Sequence, residues 1–134
     1  MLFDAVTLTE RIRAAERALL QHLYPDKADP AVLCTVEHLL RTEGRARIGD
    51  AASALALSPR QLERRFDAAM GLSPKALAGL IRYQLLWQEI AFNPRFDPLD
   101  AVERFGYSDQ AHLLHDFRSR HLMSPREALA FARR

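Results

Sequence analysis

Ser58-Pro59-Arg60-Gln61-Leu62-Glu63-Arg64-Arg65-Phe66 runs on, four residues later, into Gly71-Leu72-Ser73-Pro74. Serine before proline predicts a helix start, here twice. The serine oxygen accepts a bond from an unpaired first-turn amide, and proline suits the first helical position, where its missing N–H costs nothing. Between the two starts, Leu62 and Phe66 fall on the same helical face, and Gly71 supplies the left-handed residue that ends a helix. The stretch reads as one helix over 59–70, a stop, and a second helix opening at Pro74.

The same punctuation extends outward in both directions. Asp29-Pro30, Asp97-Pro98 and Ser124-Pro125 repeat it, so five of the seven prolines mark helix starts. Ser124 with Glu127 and Thr7 with Glu10 have the spacing of capping boxes. Gly44 and Gly106 add stops, and Tyr24-Pro25 and Asn93-Pro94 end two further helices. Helices are predicted over 9–23, 30–43, 48–55, 59–70, 74–92, 98–105, 109–121 and 125–133. Ile12, Ala15, Leu19 and Leu23 recur at helical spacing, as do Val32, Val36, Leu39 and Leu40. No stretch alternates with period two for long. The chain is expected to be all-α, with Pro25-Asp26-Lys27-Ala28 as the best linker.

About fifty residues past the opening stretch it returns in altered form: Tyr107-Ser108-Asp109-Gln110-Ala111-His112-Leu113-Leu114-His115-Asp116-Phe117 leads into Leu122-Met123-Ser124-Pro125. Phe66 and Phe117 correspond, and each unit is preceded by a short predicted helix, Ile48–Leu55 or Leu99–Phe105. Short helix, tight turn, longer helix is helix-turn-helix geometry. It serves DNA because the second helix fits the major groove, with its N-terminal side chains at base edges and helix-start amides at phosphates. The joining segment 74–92 would span about 28 Å as a helix, against about 34 Å between successive groove faces on one side of B-DNA.

Composition and charge agree with this reading and exclude others. In 134 residues, 49% hydrophobic and 27% charged composition is ordinary for one globular domain. The single cysteine, Cys34, permits no intrachain disulfide and no zinc-finger or iron–sulfur ligand set. Placed among Val32, Leu33 and Val36, it is expected to be an inert buried thiol. The N-terminus lacks the features of a secretory signal, and Leu85-Leu86-Trp87 is far too short to cross a bilayer. A cytoplasmic protein with no membrane partner is expected. The net charge of +2 is uneven, its positive excess falling mid-chain and most densely at Arg60, Arg64 and Arg65. That asymmetry suits a polyanion.

The paired motif resembles the C-terminal DNA-binding domain of AraC/XylS-family bacterial transcription regulators. The first set of carrying residues is Ser58 to Phe66 with Gly71-Leu72-Ser73-Pro74. The second is Gly106-Tyr107-Ser108-Asp109-Gln110-Ala111-His112-Leu113 with Phe117-Arg118 and Ser124-Pro125. The resemblance covers residues 29–134 and implies a seven-helix, homeodomain-like domain. Its helix-turn-helix subdomains would span about 48–71 and 98–121, bridged by a long helix over 74–92. Residues 1–28 are expected to be a connector helix, a possible remnant of a missing N-terminal effector-binding or dimerisation domain. By position, Arg60, Glu63 and Arg64 of the first recognition helix would meet bases, and Gln110, Ala111, Leu114 and His115 of the second. The chain departs from the family's pattern in three places. His115 replaces a usual arginine, Leu122 a usual glycine, and Ala101-Val102 an Ile-Ala pair, which predicts weaker reading by the second unit.

Residue chemistry gives the same roles. Arg64 can fork onto O6 and N7 of guanine, and Gln110 can pair with adenine or cap its helix. Arg65, Lys75, Arg82 and Arg118 are candidate phosphate ligands, Arg65 also a candidate for an intramolecular pair. Phe66, Phe117, Leu62, Leu113, Trp87 and Tyr107 are expected in the core. His112, His115, Asp116 and His121 are the one catalytic-looking cluster, but they make no complete ligand set. No metal, no cofactor and no enzymatic activity are expected. The expected partners are double-stranded promoter DNA in the bacterial nucleoid and RNA polymerase. The competing reading is a helical protein–protein interaction module that has lost DNA binding, favoured by Glu63, Asp109 and Asp116 on the recognition faces.

Overall fold

The computed structural model describes residues 28–132, which form seven helices and no strand. They are α1 (Pro30–Arg41), α2 (Ile48–Ala54), α3 (Pro59–Met70), α4 (Pro74–Phe92), α5 (Pro98–Arg104), α6 (Gln110–His121) and α7 (Pro125–Ala132). The helix expected over 9–23, with its Thr7–Glu10 capping box, lies outside the described residues.

The prolines do what the sequence predicts. Asp29 accepts from the Ala31 amide at 2.9 Å, Ser73 from Ala76 at 3.1 Å and Asp97 from Leu99 at 2.8 Å. Ser124 and Glu127 close a reciprocal box: the Ser124 amide donates to Glu127 Oε2 at 2.7 Å, and the Glu127 amide to Ser124 Oγ at 3.3 Å. Ser58 forms a second such box with Gln61. Each cap satisfies an amide that has no partner inside its helix and contributes about 1 kcal/mol.

Two cores hold the seven helices. In the first, Val32 of α1, Ala52 of α2, and Leu62 and Phe66 of α3 are buried, with Leu77 of α4 packed against them. In the second, Leu86 and Ile90 of α4 meet Ala101, Phe105, Tyr107, Leu113, Phe117 and Ala128. The long helix thus belongs to both cores, its N-terminal part to one and its C-terminal part to the other. Phe66, Leu62, Leu113 and Phe117 are fully buried, Tyr107 is buried, and Trp87 packs at the edge of the second core. Cys34 corrects an expectation, since it is exposed. It stands off the stripe of Val32, Val36 and Leu39, on the outward side of α1, and Leu40 turns outward with it.

Each helix-turn-helix is closed by the same two features. A left-handed residue follows the short helix, Ala56 at φ 55° in the first unit and Gly106 at φ 71° in the second. The next amide then reaches back, Leu57 to the Ala52 carbonyl and Tyr107 to the Val102 carbonyl, both at 2.9 Å. The recognition helices also end alike, on Gly71 at φ 69° and on Leu122 at φ 61°.

A leucine in that conformation is strained, at about 1–2 kcal/mol, and Leu122 is 89% exposed, so it recovers little by packing. Leu122→Gly relieves the strain and loses about 0.5–1 kcal/mol to the freer unfolded chain. A net gain near 0.5–1 kcal/mol is expected, read as a rise of about 2–5 °C in melting temperature. An unchanged or lower melting temperature would contradict it.

Candidate nucleic-acid interface

The opening turns of α3 and α6 present the candidate base-reading residues, and their caps fix how. On α3, Ser58 Oγ accepts from the Gln61 amide at 3.2 Å while Gln61 Oε1 accepts from the Ser58 amide at 2.8 Å. Leu62 and Phe66 point into the core, which turns Arg60, Glu63 and Arg64 outward, all exposed. These three line an open polar concavity with Ser58, Gln61, Asp67 and Ser73, so its far wall is the start of α4. Arg60 and Arg64 make no ion pair among the described residues. Gln61, in the same concavity, was not a sequence candidate. Its position three residues past a Ser-Pro start was the available signal.

On α6 the cap is Asp109. Its Oδ1 accepts from the His112 amide at 2.7 Å and its Oδ2 from Ser108 Oγ at 3.1 Å. The His112 amide first and the Ser108 hydroxyl second hold this carboxyl below the usual range. Asp109, not Gln110, caps the helix, and Gln110, Ala111 and His115 are exposed beside it. Leu114 is half-buried against the second core, so only part of its side chain faces outward. His112 lies edge-on to Tyr107, with ring centroids 5.3 Å apart.

The phosphate candidates divide. Lys75 and Arg118 are exposed near the starts of α4 and the end of α6. Arg65 pairs with Asp29 at 3.4 Å, tying α3 to the start of α1. Arg82 is half-buried: its Nη1 donates to the Gly106 carbonyl at 3.4 Å, and its guanidinium lies 5.4 Å from the Tyr107 ring centroid. Among the described residues no group of three His, Cys, Asp or Glu side chains is placed to hold a metal. His121 instead stacks on Phe117 at 4.9 Å, and its Nδ1 lies 2.6 Å from the Tyr83 hydroxyl.

Arg82 belongs to a junction that sets the second unit against the first. Gly44, just past α1 at φ 73°, lies so close to α4 that a Cβ there would overlap the Ala78 carbonyl oxygen. Arg45 beside it packs its Cγ against Gly106. Gly79 of α4 makes room for the Arg120 guanidinium, whose Nε donates to Asp116 Oδ1 at 3.1 Å. Asp116 also accepts from the Tyr107 hydroxyl at 3.0 Å. The turn of the second unit therefore rests on α4 and on the loop after α1.

Burial, followed by the Asp116 charge and its hydrogen bond, raises the Tyr107 phenol above its ordinary range, and Arg82 and Arg120 offset part of this. A group with a raised folded pKa stabilises fully below its unfolded pKa, about 10 for tyrosine, and loses that contribution as pH climbs towards the folded value. The melting temperature should fall as pH rises above about 10, and Tyr107→Phe should flatten that fall. An identical alkaline profile in the variant would show that Tyr107 is not its source.

Residues 51–130 match the family described as helix-turn-helix domain, and the chain belongs to that family, of AraC type. It is an AraC-type DNA-binding regulator domain. The fold recurs in the C-terminal domain of AraT, a response regulator from Geobacillus stearothermophilus, at 20% identity and TM-score 0.72 over 78% of this chain and 88% of that one. It recurs in a probable AraC family transcriptional regulator from Rhodopseudomonas palustris, at 24% identity and TM-score 0.67 over 78% and 98%. A DNA-binding transcriptional dual regulator from Escherichia coli shares it at 21% identity and TM-score 0.62, over 78% and 94%. No curated protein sequence matches the chain significantly.

Proposed function

We propose that this chain is a sequence-specific regulator of transcription that sets α3 and α6 into adjacent major-groove segments of promoter DNA. The observation that carries the reading is the duplication itself: two helix-turn-helix units with exposed recognition-helix starts share one long helix and a packed junction. Arg60, Glu63, Arg64 and neighbouring Gln61 read bases from the first unit; Gln110, Ala111 and His115, with the outer edge of Leu114, read from the second. Lys75 and Arg118 meet phosphates, while Arg65 and Arg82 serve first as struts inside the protein. RNA polymerase is the partner such a regulator addresses at a promoter.

Affinity for duplex DNA across a salt series tests the class of function. Groove binding predicts log K falling steeply with log salt, because each neutralised phosphate releases counterions. A flat or absent response means a protein partner instead. Sequences selected from a random duplex library then test the residues. Arg64→Ala should cost about 1–3 kcal/mol and relax one base pair, since a forked guanidinium contact is lost. His115→Ala should cost less, because an imidazole cannot make that forked contact. Equal losses would refute the ranking of the two units.

A further inference from the structure

Asp116 and Arg120 lie one turn apart on α6, and both are tied to elements outside that helix. Asp116 Oδ1 accepts from Arg120 Nε at 3.1 Å, and Asp116 Oδ2 accepts from the Tyr107 hydroxyl, in the turn of the second unit, at 3.0 Å. The Asp116 side chain is only 17% exposed, so its carboxylate faces these two donors rather than solvent. The Arg120 guanidinium reaches across to α4. A Cβ on Gly79 would stand 2.6 Å from Arg120 Nη2 and, its own helix aside, near nothing else, so the guanidinium fills the place of the missing side chain. Tyr83, one turn along α4, has its ring centroid 6.0 Å from the same guanidinium. We propose that Gly79, Asp116 and Arg120 form a seat that sets the angle of α6 on α4. Asp116 and Arg120 are thereby positioning residues for base reading by the second unit.

Apolar burial of Leu113 and Phe117 holds α6 to the second core, but burial is non-directional. The Asp116–Arg120 pair is directional, and its spacing of four residues suits a helix surface. It restrains the arginine head within α6, and the notch at Gly79 then fixes where that head meets α4. The same pair answers the charge of Asp116, which would otherwise repel phosphates from a helix assigned to DNA. The base-reading part of this inference rests on the function proposed above; the seat itself does not.

Gly79→Ala separates seating from stability, because the two should move in opposite directions. Alanine is the better residue inside a helix, and its methyl meets only the movable end of Arg120, so the melting temperature should hold or rise. With the guanidinium displaced, preference in the half of the site assigned to α6 should drop about tenfold, the worth of one good base contact. Preference in the half assigned to α3 should stay. Arg120→Met keeps the stem and removes the donors; it should lose the same preference, and the double variant should lose no more. Affinities for a duplex selected by the parent chain, and for duplexes scrambled in either half, give these values. Full preference in both single variants, equal loss in both halves, or a lower melting temperature in Gly79→Ala would overturn the proposal. Spin labels at Gln84 of α4 and Ala111 of α6, both exposed, read the seat without DNA in a Cys34→Ser background. The parent should give one narrow distance, and the two variants a broadened or shifted one; an unchanged distribution would refute the seat. A parent chain with no sequence preference would refute the function proposed above and the base-reading role with it, while the label distances still decide the seat.

Discussion

One alanine inserted after Gln84 should remove the base preference contributed by the second unit while leaving nonspecific attraction to DNA nearly intact. The insertion rotates everything downstream by about 100° and advances it about 1.5 Å. Leu86 and Ile90 move with the second core, but Arg82, Tyr83 and Gly79 stay with the first half. The Arg82 bond to Gly106 and the Tyr83 contact with His121 are then lost together. In the proposed complex, Gln110 and His115 then point away from the groove segment assigned to α3. Phosphate attraction survives because it depends on charge more than on phase. Selected sequences should keep the half assigned to Arg64 under the proposed reading and become random in the other half. Folding must first be verified by a cooperative melt. A folded insertion variant that retains the complete preference would show two independently binding units, and the proposed phasing of the two recognition helices by α4 would fall.

Gly44→Ala is expected to be the most damaging single-methyl change in the described chain. Two costs add. Alanine at φ 73° is strained by about 1–2 kcal/mol. Its methyl also overlaps the Ala78 carbonyl oxygen, a backbone atom of α4 that cannot swing aside. Separation of α1 from α4 brings the total to roughly 3–5 kcal/mol, a fall in melting temperature on the order of 10–15 °C. Gly71→Ala is the control. Gly71 has nearly the same φ, 69°, but nothing within 4 Å of a new Cβ. It should lose only the conformational part, about 1–2 kcal/mol. Equal losses at the two glycines would show that crowding at the junction contributes nothing.

Helix positions were legible because their signals are local. A serine or aspartate before proline caps a helix through atoms at most a few residues away, and each predicted boundary within 28–132 falls within two residues of the observed one. The exposure of Arg60, Glu63 and Arg64 was legible for a related reason: once Leu62 and Phe66 point inward, these three must point out. Residues whose roles depend on distant chain were not legible. Arg82 reads as a surface cation until Gly106 and Tyr107, more than twenty residues on, are placed against it. The partial burial of Leu114 is likewise hidden until the second core closes over one side of it. Cys34 was misread because its neighbours in sequence are apolar, whereas burial follows the helical face.

The division of α4 between two cores sets an order in which the chain can fold. Every described member of the first core lies between Val32 and Leu77, so that core can close once the start of α4 has been synthesised. Domains emerging from the ribosome form from the N-terminal side in this way. The second core waits far longer, because Ala128 is one of its buried members and α7 ends at Ala132. Until α7 arrives, Leu86 and Ile90 extend from an already folded platform with their apolar faces uncovered. Nascent chains arrested before Pro125 should thus hold a protease-resistant first unit and a protease-sensitive remainder.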